Sequence, residues 1–204
     1  MRRLRWESRN ALKYHPVDPF APAVVLMPVF RRKTIRGVTY EMDHLEPLRF
    51  EVPNSEGILR SVLVSFSCHC FTAGLKAHHA PDLIYAHRGE KRAFEIDRHT
   101  LSLQLPGMIT ALGTRTVYKS TNHKSDNFFF WRQNPPGFVG PYLVFFNVVA
   151  AKQAGVQALM NVESAYIKPN MADRGSPVTF ATLIDKTARN QRVPFGLPVT
   201  VKRK

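Results

Sequence analysis

Imidazole, guanidinium, phenol and ammonium groups can together grip or cut a phosphodiester. This sequence offers them at His69, Arg98, His99, Tyr166 and Lys168. In that chemistry His69 or His99 moves the 2′-OH proton and Arg98 and Lys168 stabilise the charged phosphorane. Tyr166 positions the phosphate or donates a proton. Two spacings favour it. In Ser164-Ala165-Tyr166-Ile167-Lys168 the residues Ser164, Tyr166 and Lys168 alternate, so a strand projects all three to one side. Arg98 and His99 open a predicted helix, with Ser102 one turn on, where free backbone N–H groups favour anions. Arg132, Lys119 and Lys124 join Ser164 as candidate nucleic-acid contacts. The structural alternatives are a cross-strand histidine at 69, a solvated first helical turn capped by Asp97, and an exposed sheet face near 164–168.

Ser67-Cys68-His69-Cys70 is the other chemical cluster. Zinc sites usually leave two to four residues between cysteines, and here one intervenes. Alternation along a strand puts Cys68 and Cys70 on the face of Val62, Val64 and Phe66, so buried, inert thiols are the preferred reading. A metal site recruiting His78 or His79 is the alternative. No cofactor motif is read, and no metal is assigned. His44 follows Asp43, but neighbours on a strand face opposite ways, so Asp43 does not orient it. The run Phe128-Phe129-Phe130-Trp131 could stack on bases, yet Phe145 and Phe146 point to core packing.

These groups sit in a basic chain. Lys and Arg number 29 against 15 Asp and Glu, a net charge of +14, which attracts polyanions such as nucleic acid. Along the sequence the charge divides into +7 over residues 1–36, −2 over 37–100 and +9 over 101–204. RNA is expected before DNA, and an acidic protein partner is the rival. Hydrophobic residues at 44% are enough for a packed core. The longest apolar run, from Tyr142 to Ala151, is about half a bilayer span, so no membrane partner is expected. Two cysteines cannot build a disulfide framework. The apolar stretch Ala21–Phe30 is broken by prolines and preceded by Glu7 and Asp18, a poor secretory leader. A cytoplasmic location follows as an expectation.

The elements that must position these residues read as α+β: a strand-rich, mostly antiparallel sheet with one or two short helices. Residues 1–36 form a basic, Pro-rich extension, 37–188 a single domain, and 189–204 a basic tail. The clearest strand is Arg60–Phe71, after a turn over 53–57. Leu83–His87 and Arg92–Ile96 form a hairpin. Leu101, Leu105, Ile109 and Leu112 lie on one helix face ending at Gly113, with Pro106 as first turn or kink. Strands follow at 114–120, 128–132 (paired with 142–149), 156–167 and 178–184.

Arg98-His99-Thr100-Leu101-Ser102-Leu103-Gln104-Leu105-Pro106, followed by a meander reaching Val162-Glu163-Ser164-Ala165-Tyr166, resembles small uncharacterised bacterial and prophage proteins. The order of helix, four-stranded meander and late Ala-Tyr strand end is also similar to RelE/barnase-like toxin ribonucleases. That resemblance, over residues 98–185, implies a metal-independent ribonuclease of the mobile-element kind. The alternative is a binding or interaction module without catalysis.

Overall fold

In a computed structural model of the chain, the described residues are 29–120, 128–132, 135–169 and 175–197, with the side chains of 131 and 132 excepted. The strands are β1 (Lys33–Ile35), β2 (Val38–Tyr40), β3 (Leu48–Pro53), β4 (Leu59–Phe66), β5 (Thr72–Gly74), β6 (Ile84–His87), β7 (Glu90–Phe94), β8 (Thr116–Lys119), β9 (Phe128–Arg132), β10 (Tyr142–Ala150), β11 (Ala158–Ile167) and β12 (Ser176–Thr179). The helices are α1 (Ile96–Ser102), α2 (Leu105–Thr110) and α3 (Phe180–Ala188), one more than the sequence suggests.

A seven-stranded sheet carries the fold, in the order β12-β8-β9-β10-β11-β4-β3. The consecutive strands β8 to β11 are the expected antiparallel meander. The sheet is nevertheless mixed, because β11 runs parallel to β4 with Ala158 opposite Val62 and Val162 opposite Phe66. Val62, Val64, Met160, Val162, Val144 and Phe146 line its inner face in the main core. There α3 packs, with the Phe180 ring 6.1 Å from Phe146 and 6.2 Å from Phe50. The outer face has its own small cluster, Phe129, Leu143 and Phe145, flanked by Tyr118 and Tyr166. The phenylalanine run thus packs on both sides of the sheet.

Three local signals redirect the chain from the sequence reading. The strand from Arg60 stops at Phe66 because the Ser67 hydroxyl accepts the His69 backbone N–H, at 3.2 Å, and caps a 3-10 turn over Cys68–Cys70. Pro106 sits in the first turn of α2, so the expected single helix is two. The face predicted from Leu101, Leu105, Ile109 and Leu112 is fully buried all the same. The last predicted strand, 178–184, holds only to Thr179. The hydroxyl of Thr179 caps the Thr182 N–H, and Phe180, Ala181, Leu183 and Ile184 then recur at helical spacing.

A second, smaller sheet, β5-β7-β6, packs with the N-terminal segment. Phe30 is buried between Phe71 and His87. The Tyr85 hydroxyl donates to the Arg31 carbonyl at 3.0 Å, and Lys33 Nζ donates to the Ile84 carbonyl at 2.8 Å. β1 and β2 join through Arg36-Gly37, and β6 and β7 through Arg88-Gly89. All four of these turn residues have positive φ, as a two-residue type I′ hairpin requires. Glycine meets that demand freely; arginine meets it at a cost, against the usual Asn or Asp.

Candidate functional site

His69 rides on the short turn that Ser67 caps. Its Nε2 lies 3.2 Å from Glu90 Oε2, on the first residue of β7. The other carboxylate oxygen of Glu90 accepts from Arg92 Nη1 at 2.8 Å, and Arg92 Nε donates to the Thr72 hydroxyl at 2.8 Å. Hydrogen bonds from Arg92 and His69 hold the Glu90 carboxyl below its ordinary range. Cys68 and Cys70 are both free and buried. Burial, followed by the charge of Glu90, raises the Cys68 thiol, and complete burial pushes Cys70 up to about 12.

Arg98 joins this turn to the large sheet. Its Nη1 donates to the Thr72 carbonyl at 2.8 Å and reaches the His69 carbonyl at 3.5 Å. Its Nε pairs with Glu95 at 2.7 Å, and the guanidinium carbon stands 5.1 Å from the centre of the Tyr166 ring. Tyr166 in turn stacks on Phe145 at 5.5 Å. Glu95, Asp97, Arg98, Leu101, Phe138 and Tyr166 border a cleft of about 320 Å³. Arg98 thus touches the Tyr166 ring and the backbone carbonyl of His69, whose imidazole faces Glu90 and does not border the cleft. Arg98 is a brace whose Nε and Nη1 are held by protein acceptors.

The remaining predicted residues disperse. His99 is next to Arg98 in sequence, but on α1 it turns inward; it is 7% exposed and its Nε2 meets the Glu41 carbonyl at 2.8 Å. Ser102 is fully buried, with its hydroxyl on the His99 carbonyl and on His44. The anion site imagined from Arg98, His99 and Ser102 is thus divided between surface and core, because consecutive helical residues face different ways. Ser164 and Tyr166 do share the outer face. An irregularity opposite Phe145/Phe146 skips Glu163, so β11 turns outward at both 163 and 164. Lys168 is exposed beyond the strand end, its backbone N–H on the Pro141 carbonyl. The Lys119 ammonium lies 5.2 Å from the Phe195 ring. Lys124 and the side chain of Arg132 lie outside the described residues.

The sequence reading missed Glu90 and Arg92 as partners of His69. It also missed a polar network on α3. There Asp185 Oδ1 accepts from Arg60 Nε at 2.9 Å and Asn54 Nδ2 at 3.2 Å, with Arg189 Nε at 3.3 Å. A cleft of about 270 Å³ adjoins it, bordered by Thr114, Thr179, Thr182 and Lys186. Arg189 stands four residues from Asp185 on the helix, but no spacing signal announces Arg60 or Asn54, each more than a hundred residues away.

The model of the YjaZ family matches residues 32–188, over three quarters of the chain. The chain belongs to the YjaZ family. The YjaZ match begins one residue before β1 and ends with α3, so it takes in all three sheets and every helix described. The likeness to RelE/barnase-like toxins finds no support, and membership of this bacterial family replaces it. No curated protein and no solved structure matches the chain. Among the described residues no helix is long and apolar enough to cross a membrane.

Proposed function

We propose that the protein binds nucleic acid through the basic lobe built from the N-terminal segment and the small sheet. One observation carries the reading. Residues 29–36 and 72–94, brought together by the Tyr85–Arg31 and Lys33–Ile84 bonds, hold eight Lys and Arg against only Asp82 and Glu90. Six of the eight, Arg31, Arg32, Arg36, Lys76, Arg88 and Lys91, are exposed. Arg36 and Arg88 stand at positive φ at hairpin tips, where a side chain with no task outside the fold is normally Asn or Gly. Clustered guanidinium and ammonium groups of this kind release counterions from a phosphate backbone. The proposal is binding without cleavage, since His99 lies in the core and Arg98 already has protein partners. Two free cysteines fit a reducing, cytoplasmic setting.

The test is fluorescence anisotropy with single-stranded RNA, duplex RNA and duplex DNA at low and moderate salt. Binding should weaken steeply with salt. Arg31→Glu/Arg32→Glu/Arg88→Glu/Lys91→Glu should bind at least about 10-fold more weakly and with a shallower salt slope. Affinity indifferent to salt, or equal capture of an acidic polypeptide, would sink the reading and favour an acidic protein partner. The two RNA arms against DNA decide which nucleic acid is meant.

A further inference from the structure

Three metal donors from two separate parts of the sequence meet at the edge of the small sheet. The Cys68 thiol, a ring nitrogen of His69 and a Glu90 carboxylate oxygen all lie within 4.8 Å of one another. Donor atoms sharing one tetrahedral zinc ion, with bonds of about 2.0–2.3 Å, stand about 3.3 to 3.8 Å apart. The His69–Glu90 pair, at 3.2 Å, sits just below that spacing. The thiol needs to close by no more than about 1.5 Å to complete the set.

The scaffold holds these donors in place without an ion. The Ser67 cap fixes the turn that carries Cys68 and His69, and the Thr72 hydroxyl and Arg98 tie down its carbonyls. Arg92 takes Oε1 of Glu90 and leaves Oε2 toward His69. That is the arrangement of an outer partner that orients a carboxylate ligand. Exposure is graded across the cluster: Cys68 is buried, the His69 side chain is 37% exposed and that of Glu90 50%. Protein therefore closes the sulfur side and water reaches the carboxylate side.

We infer that Cys68, His69 and Glu90 form a zinc site with three protein ligands and a fourth position open to solvent. Sulfur and imidazole donors select a borderline transition metal over magnesium or calcium. Thiolate and carboxylate together balance the dication, and Arg92 remains as the outer charge. The one-residue gap between Cys68 and Cys70, which argues against a zinc pair, is no obstacle. Cys70 points into the core, with its Sγ 3.8 Å from the Val162 carbonyl, and is not a ligand. The site does not depend on nucleic-acid binding.

The test is titration of the metal-free, full-length protein with Co²⁺ and then Zn²⁺, followed by absorbance and thermal unfolding. The expected result is saturation at one equivalent, a thiolate-to-cobalt charge-transfer band that Zn²⁺ displaces, and a rise in Tm from ligand linkage. Glu90→Gln, a substitution at an exposed position, should weaken binding by about 10-fold or more. Cys68→Ser should abolish the band, and His78→Ala/His79→Ala should leave both intact. The site is refuted if the wild type shows no such band. It is refuted equally if affinity survives Glu90→Gln, or if the band survives Cys68→Ser or depends on His78 and His79.

Discussion

The rings of His44 and His99 meet edge to face, with 5.4 Å between their centroids. His99 is fastened to the Glu41 carbonyl and His44 to the Ser102 hydroxyl, each at 2.8 Å, so the pair pins the segment before β3 to α1. Burial, and then the neighbouring His99, lowers the His44 pKa from 6.5 to about 4, against a smaller opposing pull from Asp43. Between those values the unfolded chain binds a proton that the folded chain refuses. Stability is therefore full above about pH 6.5 and falls as the pH drops toward 4. Melting temperatures measured from pH 7 to pH 4.5 should decline, and the decline should be shallower in His44→Asn. Parallel declines in the two proteins would show that His44 is not the titrating group.

Asp185 should be the costliest polar side chain to change on α3. Burial pushes its carboxyl up, but bonds from Arg60 and Asn54 and the charge of Arg189 outweigh this, and the net shift is downward. Its contribution is thus present above its ordinary value of 3.8 and is lost as the pH falls below it. Asp185→Asn should lower unfolding free energy at pH 7 by about 2 kcal/mol, the scale for hydrogen bonds to a charged group. Urea unfolding checks this, and the midpoint should move without a change in slope. A shift of a few tenths of a kcal/mol would mean that Arg60 and Arg189 find water instead.

Tyr142 makes the opposite case. It is fully buried between β9 and β11, and its hydroxyl has no hydrogen-bond partner among the described residues. Burial drives its ionisation far upward. Removing an unsatisfied buried hydroxyl relieves a desolvation cost, so Tyr142→Phe should be neutral or stabilising by up to about 1 kcal/mol. A loss of stability of that size would reveal a partner for the hydroxyl.

Much of this architecture was legible wherever side chains repeat with a clear period. Val62, Val64 and Phe66 announced β4, and Leu101, Leu105, Ile109 and Leu112 announced a buried face that survives a broken helix. The pairing of 128–132 with 142–149 followed from two apolar runs around a Pro-Gly turn. What was not legible depends on single hydroxyls: Ser67 ends β4 and Thr179 starts α3, and neither outweighs its apolar neighbours in a periodicity argument. The candidate site was half visible. Arg98 does meet Tyr166, but the His69 ring turns to Glu90, which arrives with Arg92 from a hairpin whose placement no spacing encodes. The charge count by sequence block also misled, because Arg31 to Arg36 fold onto residues 72–94, inside the segment that scored −2.

The parallel ladder between β4 and β11 has a consequence for how the protein comes into being. The antiparallel ladders of the large sheet join strands consecutive in sequence, except that β12 reaches back to β8. β4 pairs at once with β3, but its other edge must wait for β11, which no growing chain shorter than residue 158 contains. Until then Val62, Val64 and Phe66 lie on a strand with one open edge, the kind of surface that invites wrong pairings. The loop of the parallel ladder is the longest of any ladder in this sheet and so the costliest to close. The parallel seam therefore joins a hairpin made early, β3-β4, to a meander made late.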